Sequence, residues 1–125
     1  RMANNPALAK FGKFIVEQLR DEPLDMLTSM SKQELKAPAL KKIQSWYGEL
    51  SKKDQRKIRE LFDAINTSTL HNFLASLQEA SDRDHGICVM VDGINVAETS
   101  DGLNGELFTS DGWIAMFSHH KKEDV

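Results

Sequence analysis

Acidic and aromatic residues lie close together in a Gly-rich stretch near the C-terminal end of the chain, residues 99–113. The residues with binding chemistry there are Asp101, Glu106, Phe108, Asp111 and Trp113. Aromatic side chains anchor many protein interfaces, and carboxylates attract basic partners. We therefore predict that these five residues form a binding surface. In the alternative interpretation, the apolar residues cover the core while the Gly and Asp residues only form turns.

The charge pattern around this stretch supports an acidic surface. Residues 86–118 contain five acids and no Lys or Arg, whereas the residues before them carry both signs of charge. A positively charged partner would respond first to such an unopposed field. The sequence thus predicts a small protein-interaction or regulatory module, for example an immunity or antitoxin-like protein, that binds a basic partner protein. The alternative is a small-ligand-binding protein or an enzyme with a pocket between helices and sheet.

Other kinds of site have weaker support in the residue pattern. His119 and His120 are adjacent, so in a strand they would point to opposite faces, and we predict no metal site. Cys88 is the only thiol, and burial in an apolar strand would make it inert. Neither a nucleophile-elbow serine nor a phosphate-binding Gly motif is present. The sequence therefore predicts no catalytic residue and no cofactor, and leaves open whether the protein is an enzyme.

The densest run of cations lies in residues 52–59. Its members are Lys52, Lys53, Arg56, Lys57 and Arg59. A patch that binds phosphate groups or nucleic acid is one interpretation. On a helical wheel, however, all five lie opposite the apolar residues of the segment, and Glu60 and Asp63 follow at spacings that allow pairing. The favoured interpretation is a solvated helix face.

Length and composition indicate one domain spanning residues 1–125. The chain is 40% hydrophobic and 28% charged, which is ordinary for a globular domain of this length. The net charge of −3 argues against general affinity for nucleic acid. No apolar run approaches the length of a membrane span, and the N-terminal residues lack the apolar core of a secretory signal. Arg1 ahead of Met2 is typical of an expression remnant, and we expect a cytoplasmic location.

The hydrophobic pattern predicts an α+β fold. Helical periodicity covers about residues 6–81, with helix starts expected at Asn5, Ser31 and Ser51. The C-terminal third, about residues 87–118, is expected to form strands. We predict four to five helices packed on one face of a small antiparallel sheet of about three strands. The exposed edges of such a sheet leave open a homodimer.

A break is expected within the long helical pattern of residues 52–81. As one straight helix this segment would measure roughly 45 Å, which is long for a domain of this size. Its apolar residues change face midway. They are Ile58, Leu61, Phe62 and Ile65 in the first half, and Leu70, Phe73, Leu74 and Leu77 in the second. Because residues 66–69 between them have poor helix propensity, we predict an interruption or a bend there.

Asp92 and Gly93 separate two β-rich runs, and this dipeptide favours a type I′ hairpin turn. A two-residue loop would pair Val91 with Ile94 and Val89 with Val96. The expected core face of the hairpin consists of Ile87, Val89, Val91, Ile94 and Val96. A third strand is expected at residues 113–118, followed by a frayed polar tail at residues 119–125.

Overall fold

The computed structural model describes residues 5–120, and its fold is mainly helical. The helices are α1 (Pro6–Val16), α2 (Glu22–Ser31), α3 (Lys41–Gly48), α4 (Lys52–Asp82) and α5 (Trp113–Phe117), and the strands are β1 (Met90–Val91) and β2 (Ile94–Asn95). A π-helical turn, Glu17–Asp21, connects α1 to α2. Short 3₁₀ segments occupy Pro38–Leu40, Val96–Thr99 and Leu103–Leu107. Within residues 5–120, none of the helices combines the length and the apolar character needed to cross a membrane.

Local capping chemistry sets two of the three expected helix starts. Asn5 Oδ1 accepts a hydrogen bond from the Leu8 amide at the start of α1, and Ser51 Oγ accepts one from the Asp54 amide at the start of α4. The helix start expected at Ser31 is wrong, because this residue ends α2. Its hydroxyl donates to Gln55 Oε1 of α4 at 2.9 Å instead of capping a new helix.

The interruption predicted at residues 66–69 is wrong, because α4 runs without interruption for 31 residues, whereas the alternative of a bend within one continuous helix stays a prediction. Tertiary contacts compensate for the poor helix formers in its middle. Asn66 donates from Nδ2 to the Leu19 carbonyl at 2.8 Å. Pro23, four residues after Leu19, has no backbone N–H to offer that carbonyl. Asn66 therefore ties the middle of α4 to the π-helical turn.

The hairpin has the predicted register, but its strands are only two residues long. Val91 pairs with Ile94, and the Val96 amide donates to the Val89 carbonyl at 3.1 Å. Asp92 and Gly93 have φ values of 51° and 80°, as a type I′ turn requires. The predicted core face is only partly correct. Val96 is buried and Val89 and Val91 pack on the core, whereas Ile87 and Ile94 are exposed.

The third strand predicted at residues 113–118 is wrong, because Trp113–Phe117 forms helix α5. The sheet among the described residues therefore has two strands rather than about three, and the fold is mainly helical with a small antiparallel sheet. Cys88 was expected to lie buried in a strand, but it is exposed just before β1. The tail prediction is wrong for His119 and His120, which contact α2, while residues 121–125 lie outside the described residues.

The core joins α1, the second half of α4 and the C-terminal segment. Its buried members are Leu8, Phe11, Ile15, Val16, Leu70, Leu74, Leu77, Val96, Ala97, Leu103, Leu107 and Trp113. Trp113 is fully buried and packs edge-to-face on Phe11, with ring centroids 5.9 Å apart. The indole also fills the space beside Gly12, where an added Cβ would lie 2.4 Å from the Trp113 ring. Gly12 is thus needed for the close approach of α5 to α1.

We predict that Gly12→Ala lowers the free energy of unfolding by about 1–3 kcal/mol, because the new methyl group collides with the Trp113 ring. The higher helix propensity of Ala, about 1 kcal/mol, offsets only part of this effect. Urea unfolding measures the difference. The matched control is Gly105→Ala, whose Cβ would meet no atom within 4 Å. Equal stability of Gly12→Ala and wild type would show that Trp113 does not pack on α1.

Candidate functional site

Two of the five residues predicted to form the C-terminal binding surface are buried. Trp113 lies in the core, and Glu106 is only 1% exposed. The Ser100 hydroxyl donates to Glu106 Oε2 at 2.6 Å, so this carboxylate stabilises the turn that precedes the Leu103–Leu107 segment. Neither side chain can contact a partner at the surface in this conformation. The burial of Trp113 agrees with the alternative interpretation, in which the apolar residues of this stretch cover the core.

The other three residues of that predicted surface are exposed. Phe108 is 42% exposed and its ring lies 6.1 Å from the ring of His71 on α4. Asp101 and Asp111 are exposed, and Asp111 accepts a hydrogen bond from the Thr109 hydroxyl at 2.6 Å. A groove of about 160 Å³ lies beside the Phe108 ring and is lined by Thr67, Ser68, His71, Asn72 and Phe108.

A larger cavity, about 320 Å³, lies between α2, α3 and the first half of α4. We call it the cationic cleft. Its lining residues are Leu27, Thr28, Ser31, Lys32, Tyr47, Lys52, Gln55, Arg56 and Arg59. Four of these side chains are cations, and none of the described side chains that line it carries a carboxylate.

The wall of the cationic cleft is fixed by hydrogen bonds between neighbouring helices. Gln55 is buried, donates from Nε2 to the Tyr47 carbonyl at 3.0 Å, and accepts from the Ser31 hydroxyl. The Tyr47 hydroxyl donates to the Gln55 carbonyl at 3.2 Å. Burial raises the pKa of Tyr47, although the nearby Arg59 charge opposes this, so the phenol stays protonated at neutral pH. These bonds hold α2, α3 and α4 at fixed separations around the cavity.

The solvated-face interpretation of residues 52–59 fits four of the five cations, Lys52, Lys53, Arg56 and Lys57, which are exposed, but not Arg59. Lys53 and Lys57 are exposed and do not line the cleft. Arg59 is partly buried and donates to the Leu24 carbonyl at 3.3 Å and to the Thr28 hydroxyl at 3.4 Å. Leu61 lies on the face of α4 that the helical wheel predicts to be buried, yet it is 61% exposed. The face that meets α2 and α3 instead carries Gln55 and Arg59.

A buried polar network joins the π-helical turn to the end of α5. Arg20 and Asp21 are 2% and 0% exposed, and both contact the buried Ser118. Arg20 Nη1 donates to the Ser118 hydroxyl at 2.6 Å, and this hydroxyl donates to Asp21 Oδ1 at 2.6 Å. Asp21 Oδ2 also accepts the His119 amide at 2.9 Å. The network therefore fixes the chain direction immediately after α5.

This turn of the chain brings both C-terminal histidines to Asp25 of α2. His119 Nε2 lies 3.1 Å and His120 Nε2 2.6 Å from Asp25 Oδ1, and the two rings are 4.4 Å apart. The expectation that adjacent histidines point apart is wrong here, because residues 119 and 120 form a bend rather than a strand. We call Asp25, His119 and His120 the histidine cluster.

The electrostatics of the histidine cluster favour ion pairing. A hydrogen bond with Asp25 raises the pKa of His119, and the nearby Asp21 carboxylate acts in the same direction. Burial opposes ionisation of Asp25, but hydrogen bonds from His120 and His119 outweigh it and lower the pKa of this carboxyl group. Positive imidazolium and negative carboxylate are thus each stabilised by the other.

Comparisons with protein-family models, with curated proteins and with solved structures found no match for this chain.

The cationic cleft was not predicted from the sequence, although the sequence contains one signal for it. Lys52, Arg56 and Arg59 stand at i, i+4 and i+7, the spacing of one helix face, whereas Lys53 and Lys57 fall beside that face. Lys32 is distant in sequence and reaches the cleft only because α2 packs against α4. The histidine cluster likewise needed the bend after α5, which no local motif indicates.

We predict that the stabilising effect of His119 depends on pH. Because its pKa is raised on folding, its contribution is complete below the ordinary value of 6.5 and disappears as pH rises through the folded-state pKa. Replacing His119 with Gln should therefore lower the free energy of unfolding more at about pH 5.5 than at about pH 8.5. Urea unfolding in the presence of a chelator measures this. An Asp25→Asn background should remove most of the pH dependence, and an equal effect of His119→Gln at both pH values would contradict the described pairing.

Proposed function

We propose that the protein binds a small phosphorylated molecule in the cationic cleft. The observation that carries the proposal is the convergence of Lys32, Lys52, Arg56 and Arg59 on one cavity whose described lining has no carboxylate. Like charges brought together in this way repel one another, and a bound anion relieves that repulsion. This function corresponds to a small-ligand-binding protein, with the pocket between helices instead of between helices and sheet.

The size and lining of the cationic cleft favour a small ligand over a macromolecule. Its volume of about 320 Å³ lies at the lower end of the range of small-molecule pockets, roughly 300–1,000 Å³. Arg56 and Arg59 offer planar guanidinium groups that can hold a phosphate through paired hydrogen bonds, and lysines add point charges. The hydroxyls of Thr28 and Ser31 supply further polar contacts, while Leu27 supplies an apolar wall. A dianionic phosphate group matches four cations better than a single carboxylate does.

We predict that a Lys52→Gln/Arg56→Gln double variant binds inorganic pyrophosphate at least about tenfold more weakly than wild type, because each lost charge contact contributes about 1.5 kcal/mol or more. Isothermal titration calorimetry with the full chain at fixed ionic strength measures the dissociation constant. Both side chains are exposed, so the fold should be preserved.

The matched control is the Lys53→Gln/Lys57→Gln double variant, which removes the same charge from the same helix outside the cleft. Its dissociation constant for pyrophosphate should lie within about twofold of the wild-type value, because exposed charges at a distance from the cleft are screened by salt. Equal weakening by the two double variants would show that pyrophosphate responds only to net charge. Absence of saturable binding to wild type would also refute the proposal.

A second candidate function is binding of a basic partner protein at the exposed part of the C-terminal segment. The observation that favours it is the exposed Phe108 ring beside a groove, in a segment that contains Asp101 and Asp111 but no Lys or Arg. An aromatic ring with an acidic rim suits a lysine-rich or arginine-rich surface. Glu106 and Trp113 take no part in this version of the surface, because both are buried.

We predict that Asp101→Asn/Asp111→Asn weakens binding to immobilised Lys-rich and Arg-rich peptides, most visibly at low salt, because rim charges mainly set the association rate. Surface plasmon resonance at two ionic strengths measures the rates. The control Glu34→Gln/Glu49→Gln removes two exposed acids elsewhere and should leave the rates unchanged. If both double variants change the association rate equally, Asp101 and Asp111 have no specific role in binding.

The cytoplasmic location and the homodimer stay predictions from the sequence. Each strand of the hairpin is only two residues long and could form few hydrogen bonds with a second copy of the chain. An edge-to-edge dimer would therefore need further contacts.

A further inference from the structure

The histidine cluster has the ligand types and spacing of a metal site. One ligand atom from each of Asp25, His119 and His120 can be chosen so that all three lie within 4.8 Å of one another. Metal–nitrogen and metal–oxygen bonds of about 2.0–2.2 Å place the ligands of a tetrahedral zinc ion roughly 3.3–3.6 Å apart, so small movements of these side chains would bring the three atoms to that separation. Imidazole nitrogen combined with a carboxylate oxygen suits zinc, nickel, copper and cobalt, whereas calcium and magnesium prefer oxygen alone.

We propose that Asp25, His119 and His120 form a binding site for a divalent transition metal ion such as Zn²⁺ or Ni²⁺. The metal ligands lie outside the cationic cleft, although Arg59 contacts both sites, and the metal proposal does not rest on the proposed phosphate binding. Three protein ligands would leave one position of a tetrahedral ion for water or another donor.

The surroundings of His119 support metal binding. Its Nδ1 lies 3.0 Å from Asp21 Oδ2, while its Nε2 faces Asp25. A carboxylate that accepts the second N–H of a ligating imidazole fixes the ring orientation and makes the other nitrogen a better ligand. Asp21 is itself held by Ser118 and by the His119 amide, so this supporting carboxylate is already positioned.

Arg59 opposes metal binding at His120. Arg59 Nη2 lies 3.1 Å from His120 Nδ1, and this donor keeps the imidazole proton on Nε2, which then donates to Asp25. When a metal takes Nε2, the proton moves to Nδ1 and Arg59 must turn away. The contacts with the Leu24 carbonyl and the Thr28 hydroxyl use Arg59 Nη1 and not Nη2, so the proposed rearrangement does not require them to break. Removing Arg59 should therefore strengthen metal binding, an effect that adventitious surface binding would not show.

The test uses the untagged full chain, treated with a chelator and titrated calorimetrically with ZnCl₂ and NiCl₂ at fixed pH. We expect one saturable site in the wild type. The variants His119→Gln, His120→Gln and Asp25→Asn should each weaken binding by at least about tenfold, because each removes a ligand. The control His85→Gln should bind as wild type does, since His85 is exposed and is not one of the three ligands.

Two further measurements make the test independent of whether those variants fold. Arg59→Gln should bind the metal more tightly than wild type, and the visible absorption of bound Co²⁺ in the wild type should show a tetrahedral, nitrogen- and oxygen-ligated ion. Absence of saturable binding up to roughly millimolar metal would overturn the proposal. So would binding that the His85 and cluster variants weaken equally, or binding that Arg59→Gln leaves unchanged.

Discussion

The buried pair of Arg20 and Asp21 is the constraint on which the C-terminal half of the structure depends. Charges removed from water must be compensated by close partners, because an uncompensated buried charge costs several kcal/mol. Here Ser118 and the His119 amide supply part of that compensation from almost a hundred residues away in sequence. Arg20 Nε is buried and has no hydrogen-bond partner among residues 5–120, so the pair is not ideal for stability alone. Its clearest effect is to fix where the chain goes after α5.

The π-helical turn explains why these two charges can both point inward. A π-helical turn adds a residue to the helical repeat, so side chains beyond it change direction relative to α1. Pro23 is the second residue after the turn and has no N–H to donate to the Leu19 carbonyl, which accepts a hydrogen bond from Asn66 of α4 instead. The turn is thus held by α4 on one side and by the end of α5 on the other. Both the histidine cluster and the packing of Trp113 against α1 depend on that arrangement.

The two halves of helix α4 pack against different parts of the molecule. Its first half faces α2 and α3, where Gln55 and Arg59 line the cationic cleft, and its second half supplies Leu70, Leu74 and Leu77 to the core. The change of apolar face in the sequence does not mark an interruption of α4, because Leu61 and Ile65 of the first-half apolar face are exposed and the face that meets α2 and α3 is polar. Polar residues at the changeover are satisfied by tertiary and local bonds, such as that from the Thr69 hydroxyl to the Ile65 carbonyl.

Features governed by neighbouring residues could be predicted from the sequence, and features governed by distant residues could not. The Asn5 cap and the turn at Asp92 and Gly93 depend on local side-chain and backbone chemistry, and both are correct. The sequence alone does not decide whether Trp113 is an exposed binding residue or a core residue. The decisive contact is with Gly12, which is distant in sequence and packs against the Trp113 ring. The cationic cleft required knowledge of which face of α4 meets α2, and the exposed Leu61 shows that hydrophobicity alone selects the wrong face.

The most direct test of the cationic cleft as the binding site is a nuclear magnetic resonance titration of the ¹⁵N-labelled chain with inorganic pyrophosphate. Amide shifts report the location of binding without any substitution. The account predicts that the largest changes fall in residues 27–32 and 52–59, with smaller changes near Tyr47, and that they saturate together. Changes that are largest in residues 99–112, or that spread evenly over the exposed lysines without saturating, would contradict it.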